Sequence, residues 1–311
     1  MTLNIIIVVC VLLLLAYIFD LTATKTRIPS VILLLFLGWV VKQAFVLFDF
    51  QIPDLTIFLK LFGTIGLILI VLEGSLDLEF DKSKIKTIRN AFFVSIISFS
   101  VVTFVLTAIF QLFQDGDTKS CLINAIPLGI ISSAIAIPSV KHLPVFQKEF
   151  VVYESSLSDI LGVVVFNFFL FHNVNNAHAF GHFGVQLLIL IIISLAATII
   201  LSILLSKIEH HIKFIPIVIL IVLIYAVSEV FHLPALIFIL IFGLFIGNIC
   251  RLKNINIIKR LKPEILNKEV NKFYDLIKEV TFLIRALFFL IFGFLIETSE
   301  LIDPSSLLIS V

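Results

Sequence analysis

Residues 153–166 read YESSLSDILGVVVF. Apart from Glu154 and Asp159, this is the interior of an apolar helix, and the apolar run continues to Phe171. An ionised carboxylate in a bilayer core is costly. Acids inside spans therefore face a cavity, pair with a cation or carry protons. How this stretch is read decides both where the chain sits and what it does there.

The rest of the chain settles the location. It has 311 residues, 60% hydrophobic and only 14% charged, with a mean hydropathy of +1.21. A soluble domain carries roughly 25% charged residues. This composition predicts an all-α polytopic membrane protein. The 33 Phe supply bulk for a lipid-facing surface, and a net charge of +1 gives no case for nucleic acid. Cys10, Cys121 and Cys250 have no metal-ligand spacing and are expected to be buried thiols. No small-residue cleavage site follows the first apolar run, so residues 5–20 are expected to stay as a span.

A span needs about 20 apolar residues. Segments near 4–23, 28–48, 55–76, 88–113, 121–140, 150–171, 185–206, 213–231, 233–249 and 279–297 qualify, and an eleventh starts near Leu307. Of the 22 Lys and Arg, the even-numbered loops hold only Lys42, Lys60 and Lys119, and Arg285 lies within a span. The remaining 18 lie in the odd-numbered loops. Positive charge marks the cytoplasmic side, which places the odd loops inside and the N-terminus outside. The loop 251–278 is predicted to form an amphipathic cytoplasmic helix bearing Ile255, Ile258, Leu261 and Ile265. The stretch 172-HNVNNAHAFGH-182 is predicted as an external loop of solvated histidines.

An internal repeat is legible. In 28-IPSVILLLFLGWVV-41 and 233-LPALIFILIFGLFI-246, Pro29 matches Pro234 and Gly38 matches Gly243. In 69-LIVLEGSLDLE-79 and 288-FFLIFGFLIET-298, Gly74 matches Gly293. Span 2 thus echoes span 9 and span 3 echoes span 10. An odd number of intervening spans turns the second copy upside down, an arrangement found in transporters with a mid-membrane site. The expected organisation is a first repeat over 1–171, a connecting span over 185–206 and a second repeat over 213–311. By this count the second repeat lacks three spans.

Residues four apart share a helix face. Ser155 and Asp159 therefore project together, as do Glu154 and Ser158. Glu154 and Asp159 differ by about 140° around the helix, which gives the two acids different surroundings. Arg285 is a permanent cation in mid-span and needs a carboxylate, which Glu154 or Asp159 could supply. Glu73 lies deeper in span 3 than Asp77 and Glu79, which are expected at the interface. In 128-LGIISSAIAIPSVKHLP-144, Pro138 frees a backbone carbonyl and either kinks or unwinds the helix, while Ser132 and Ser133 add hydroxyls.

These residues carry a resemblance. 154-ESSLSD-159 resembles the E-S-x-L-N-D motif of monovalent cation:proton antiporters of the NhaP and NHE type. 71-VLEGSLDL-78 resembles their L-F-E-x-G-L-x-L motif, and 285-RALFFLIFGFLI-296 resembles their R-x-x-F-F-x-x-x-G segment. The resemblance implies an inverted-repeat fold with discontinuous helices, of whose thirteen spans ten or eleven are present here. It implies Asp159 as the acid that binds cation or proton in turn, Ser155 as a hydroxyl ligand and Glu73 as a nearby acid. It implies Glu154 and Arg285 as a structural ion pair, and unwound backbone at Ala136, Ile137 and Pro138. It implies a homodimer. Ser158 stands where the family carries Asn, and Ala136-Ile137-Pro138 where it carries T-D-P.

The expected activity is secondary exchange of Na⁺, K⁺ or Li⁺ for H⁺ across a bacterial inner (plasma) membrane. With one exchanging acid it is expected to be electroneutral. No cofactor and no resident metal are expected, and no enzymatic activity. An intramembrane hydrolase is disfavoured because neither H-E-x-x-H nor G-x-S-x-G occurs. A channel or sensor on this fold, and an inactive or split-transporter fragment, are the competing readings.

Overall fold

The computed structural model describes residues 2–26, 28–50, 53–78, 82–113, 117–140, 143–171, 177–207, 214–230, 235–251 and 263–298. Among them there are helices and no strand. The helices are α1 (Thr2–Thr26), α2 (Ser30–Leu47), α3 (Thr56–Asp77), α4 (Ile85–Phe113), α5 (Thr118–Leu128), α6 (Ser133–Ser139), α7 (Val145–Phe171), α8 (Ala177–Lys207), α9 (Phe214–Val230), α10 (Leu236–Gly247) and α11 (Pro263–Leu295). Helices α1 to α4 are each long and apolar enough to cross a membrane.

Helix α4 shows why the solvent must be lipid. Its buried stripe is Thr87, Ala91, Ser95, Phe99, Thr103, Thr107 and Phe110, one residue per turn and mostly small or hydroxylated. Its exposed residues include Phe92, Phe93, Val94, Ile97, Val101 and Phe104. Large apolar groups outside and small polar ones inside invert the pattern of a soluble helix, and small residues are what let membrane helices approach closely.

The chain forms two compact units, Met1–Leu67 with Glu279–Val311, and Ile68–Lys278. Both α3 and α11 contribute to each. In the first unit, Ala16, Leu34, Ala286 and Leu290 form a buried core shared by α1, α2 and α11. Gly38 and Gly293 let α2 and α11 touch backbone to backbone: a Cβ on Gly38 would stand 2.8 Å from the Phe294 nitrogen, and one on Gly293 would stand 2.8 Å from the Leu35 carbonyl carbon. In the second unit, α4 packs on α5 and α7, α6 packs on α7, and α10 packs on α8. There, Gly243 of α10 lies against Ser75 of α3, and Gly247 against the Leu76 carbonyl. Asn248 then caps the end of α3, its Nδ2 donating to the Leu78 carbonyl at 2.8 Å.

Several expectations are corrected. The predicted fifth span is two helices, α5 and α6, separated by Gly129–Ser132. Residues 263–278 are helical but run on into the tenth span as one 33-residue helix, not as a separate surface helix. Leu266, Val270, Phe273 and Ile277 form its buried face there. Ile255, Ile258 and Leu261 lie outside the described residues, and Ile265 falls in α11. His178 and His182 sit in the first turns of α8, so the predicted loop is partly helix; His172 lies outside the described residues. Cys10 is exposed on α1 rather than buried, while Cys121 is buried and Cys250 half-buried.

Candidate functional site

The site is organised by the interruption between α5 and α6. Pro127, near the end of α5, lacks the N–H that would continue the ladder. Gly129 then closes the helix, its N–H donating to the Ala125 and Ile126 carbonyls. Glycine is required here because a Cβ would strike the Thr103 hydroxyl of α4. Across the gap, Gly162 of α7 leaves room for the Ile130 side chain.

Backbone freed inside a membrane needs a partner. The N–H of Ile131 finds one in the Ser158 hydroxyl oxygen, at 3.2 Å. One residue further along α7, Asp159 accepts a hydrogen bond from the Ser133 hydroxyl at 2.5 Å. The backbone N–H of Ser133 also faces the carboxylate. Successive residues of α7 thus anchor the gap and the start of α6.

Asp159 opens on a cavity of about 30 Å³. Its α7 wall is Ser156, Asp159, Ile160 and Val163, a single helix stripe at i, i+3, i+4 and i+7. Ile70, Val71, Gly74 and Ser75 of α3, Leu78 just beyond its end, Ser133 of α6, and Leu236, Ile237 and Leu240 of α10 complete it. Asp159 is the one ionisable group among these lining residues. The volume holds a water or two, or a small cation that has shed most of its hydration shell.

The two acids of the opening stretch do differ in surroundings. Glu154 is buried, off the cavity, and its Oε1 accepts from Ser98 of α4 at 3.5 Å. Arg285 is half-buried on the part of α11 that belongs to the other compact unit.

Three sequence-predicted site positions lie away from the cavity lining or differ in local structure. Ser155 is fully buried but does not line the cavity, and its hydroxyl donates to the Val152 carbonyl of its own helix at 3.4 Å. Glu73 is also off the cavity lining. It acts electrostatically on Tyr274 of α11, whose phenol donates to Asp77, one turn along, at 2.7 Å. Ala136, Ile137 and Pro138 are helical, within α6. The gap opens earlier, at Gly129, because Pro127 and Gly129 end α5 there, whereas Pro138 falls near the close of α6. The sequence reading missed Ser75 and Ser156. Their signal was the stripe spacing that Ser75 shares with Val71 on α3 and Ser156 with Asp159 on α7.

No curated protein sequence matches the chain. The model of the family described as sodium/hydrogen exchanger, transmembrane, matches residues 10–311. That span includes every helix from the middle of α1 onward, the interrupted pair and the Asp159 cavity. The chain belongs to the sodium/hydrogen exchanger family, an integral membrane family of cation:proton exchangers.

Proposed function

We propose that exchange in this chain runs through alternate occupancy of Asp159 by a proton or a monovalent cation. The observation that carries this reading is that Asp159 is the single ionisable residue among the described residues lining the cavity. An ionised carboxylate there accepts from the Ser133 hydroxyl. A protonated one can donate to the same oxygen, since a hydroxyl both donates and accepts. Ser133 thus serves both loading states without rearranging the backbone. A cation and a proton compete for the same oxygens, so exposing the site to one side and then the other couples the two fluxes.

One exchanging acid gives one cation for one proton, and the cycle moves no net charge. The working unit is a homodimer in the bacterial inner (plasma) membrane, with the N-terminus outside, in keeping with the loop charges.

The inverted repeat organises the fold. Exchanging span 2 for span 9 and span 3 for span 10 turns the α2–α11 glycine crossing at Gly38 and Gly293 into the α10–α3 crossing at Gly243 and Ser75, beside Gly74. This correspondence supports repeats over 1–171 and 213–311, linked through 185–206.

The test is dissipation of a pH gradient in everted vesicles on adding Na⁺, K⁺ or Li⁺. The wild type is expected to respond to at least one cation, and Asp159→Asn to none. Cation-driven proton movement that persists in the variant overturns the Asp159 mechanism. A rate that changes when a membrane potential is imposed overturns electroneutrality.

A further inference from the structure

The serines of α6 and α7 around Asp159 differ in what their oxygens already do. Ser133 donates to the carboxylate. Ser158 accepts the Ile131 N–H. Ser155 turns back to the Val152 carbonyl. Ser156 is 8% exposed, lines the cavity, and its Oγ has no hydrogen-bond partner among the described residues. A buried hydroxyl is ordinarily paired. On α7, Ser156 stands three residues before Asp159, so the two side chains share the cavity face. Opposite it lies Gly74, where a Cβ would come 3.9 Å from the Ser156 oxygen. The glycine leaves the approach to that oxygen open.

From this geometry we infer that the Ser156 hydroxyl supplies a neutral oxygen ligand to the cation held at Asp159. The inference rests on the Asp159 reading above. The chemistry fits: alkali cations take hard oxygen donors, and a carboxylate with one or more hydroxyls makes a site of low net charge. An occupied site would satisfy the lone pairs that are now unclaimed.

The experiment is equilibrium binding of radiolabelled Na⁺ to the purified full chain in detergent, compared across Ser156→Ala, Ser156→Thr, Ser155→Ala and Asp159→Asn. Ser156→Ala is expected to weaken Na⁺ binding about tenfold, the scale of one lost polar contact. Ser156→Thr keeps the oxygen and is expected to bind within about threefold of wild type, the same scale of contact being retained. Ser155→Ala removes a hydroxyl off the cavity lining and is expected to weaken binding less than Ser156→Ala. Competition by Li⁺ and K⁺ adds a readout that a merely structural role would not move: losing a ligand changes the ranking of the cations, whereas loosened packing weakens all alike. Removing an unpaired hydroxyl should leave the melting temperature unchanged, and Ser156→Cys serves as a same-volume variant lacking the hard oxygen. Wild-type affinity in both Ser156→Ala and Ser156→Cys overturns the inference while leaving the Asp159 reading intact. Binding that survives Asp159→Asn, or a wild type that binds none of Na⁺, K⁺ and Li⁺, overturns both.

Discussion

Gly243→Ala is the substitution that most directly probes how the cavity wall is held. A Cβ at this position would overlap the Ser75 hydroxyl, stand 2.7 Å from the Ser75 Cβ and touch the Leu72 carbonyl at 3.4 Å. Rotating Ser75 moves its hydroxyl, at the expense of the 2.9 Å bond to Leu72, but cannot move its Cβ. Relief therefore requires α10 and α3 to part by about 0.7 Å, the distance needed to reach ordinary contact. A gap of that size forfeits about a quarter to a half of each dispersion well across the crossing. Overpacking of this kind costs about 1–3 kcal/mol, against about 1 kcal/mol gained because alanine favours helix over glycine. The net expectation is a loss of up to about 2 kcal/mol, read as a melting temperature lower by as much as roughly 8 °C. Gly184→Ala is the control: nothing lies within 4 Å of a Cβ there, so only the helix-propensity gain should remain. The assay is thermal unfolding of the detergent-solubilised chain followed by intrinsic fluorescence. A Gly243→Ala protein that melts above the wild-type temperature would refute the close α3–α10 approach, and with it the α10 side of the cavity.

Two further outcomes are expected at the end of α3. Asn248→Leu removes the amide that donates to the Leu78 carbonyl at 2.8 Å and to the Leu244 carbonyl at 2.9 Å. Leu78 is buried, so its carbonyl is left unpaired, and unfolding measurements should show a loss of about 1–3 kcal/mol. Burial, then the charge of Asp77 and the hydrogen bond to it, raise the Tyr274 phenol above its ordinary value, which is about 10. A raised acid stabilises the fold through its protonated form. That stability is fully present below about pH 10 and is lost as pH rises through the folded value. Titration by tyrosinate absorbance should show a late component in wild type that Tyr274→Phe lacks. A difference spectrum in which Tyr274 titrates with the other tyrosines would contradict the Asp77 contact.

How much of this could be read in one dimension depends on whether a residue's meaning needs a partner. An acid in an apolar run announces itself alone, so Asp159 and Glu154 stood out, and their separation around the helix matched two environments. Span positions followed from length and hydropathy for the same reason. Glu73 looked like a third site acid because its neighbour Asp77 meets Tyr274 across 197 positions of sequence, which no local pattern reveals. Ser155 and Ser156 lie four and three residues from Asp159, and either spacing shares its face. Only the packing of α3 and α10 determines which side of that face is hollow.

The interrupted span shows the same limit. Pro138 is the louder signal, yet Pro127 with Gly129 makes the break, because close contact with Thr103 selects the glycine. Moving the break earlier brings Ser133 to the carboxylate, so the crossing helix does contribute a hydroxyl to the site. Ser158, which departs from the antiporter motif, holds the Ile131 N–H and keeps the gap's backbone satisfied. Ser158 and Ser133 thus do polar work that a span interrupted at this point requires, while Ala136 and Ile137 bring neither a hydroxyl nor an acid. In the mechanism proposed above, acid chemistry rests on Asp159, so a single substitution there is expected to abolish coupled exchange rather than weaken it.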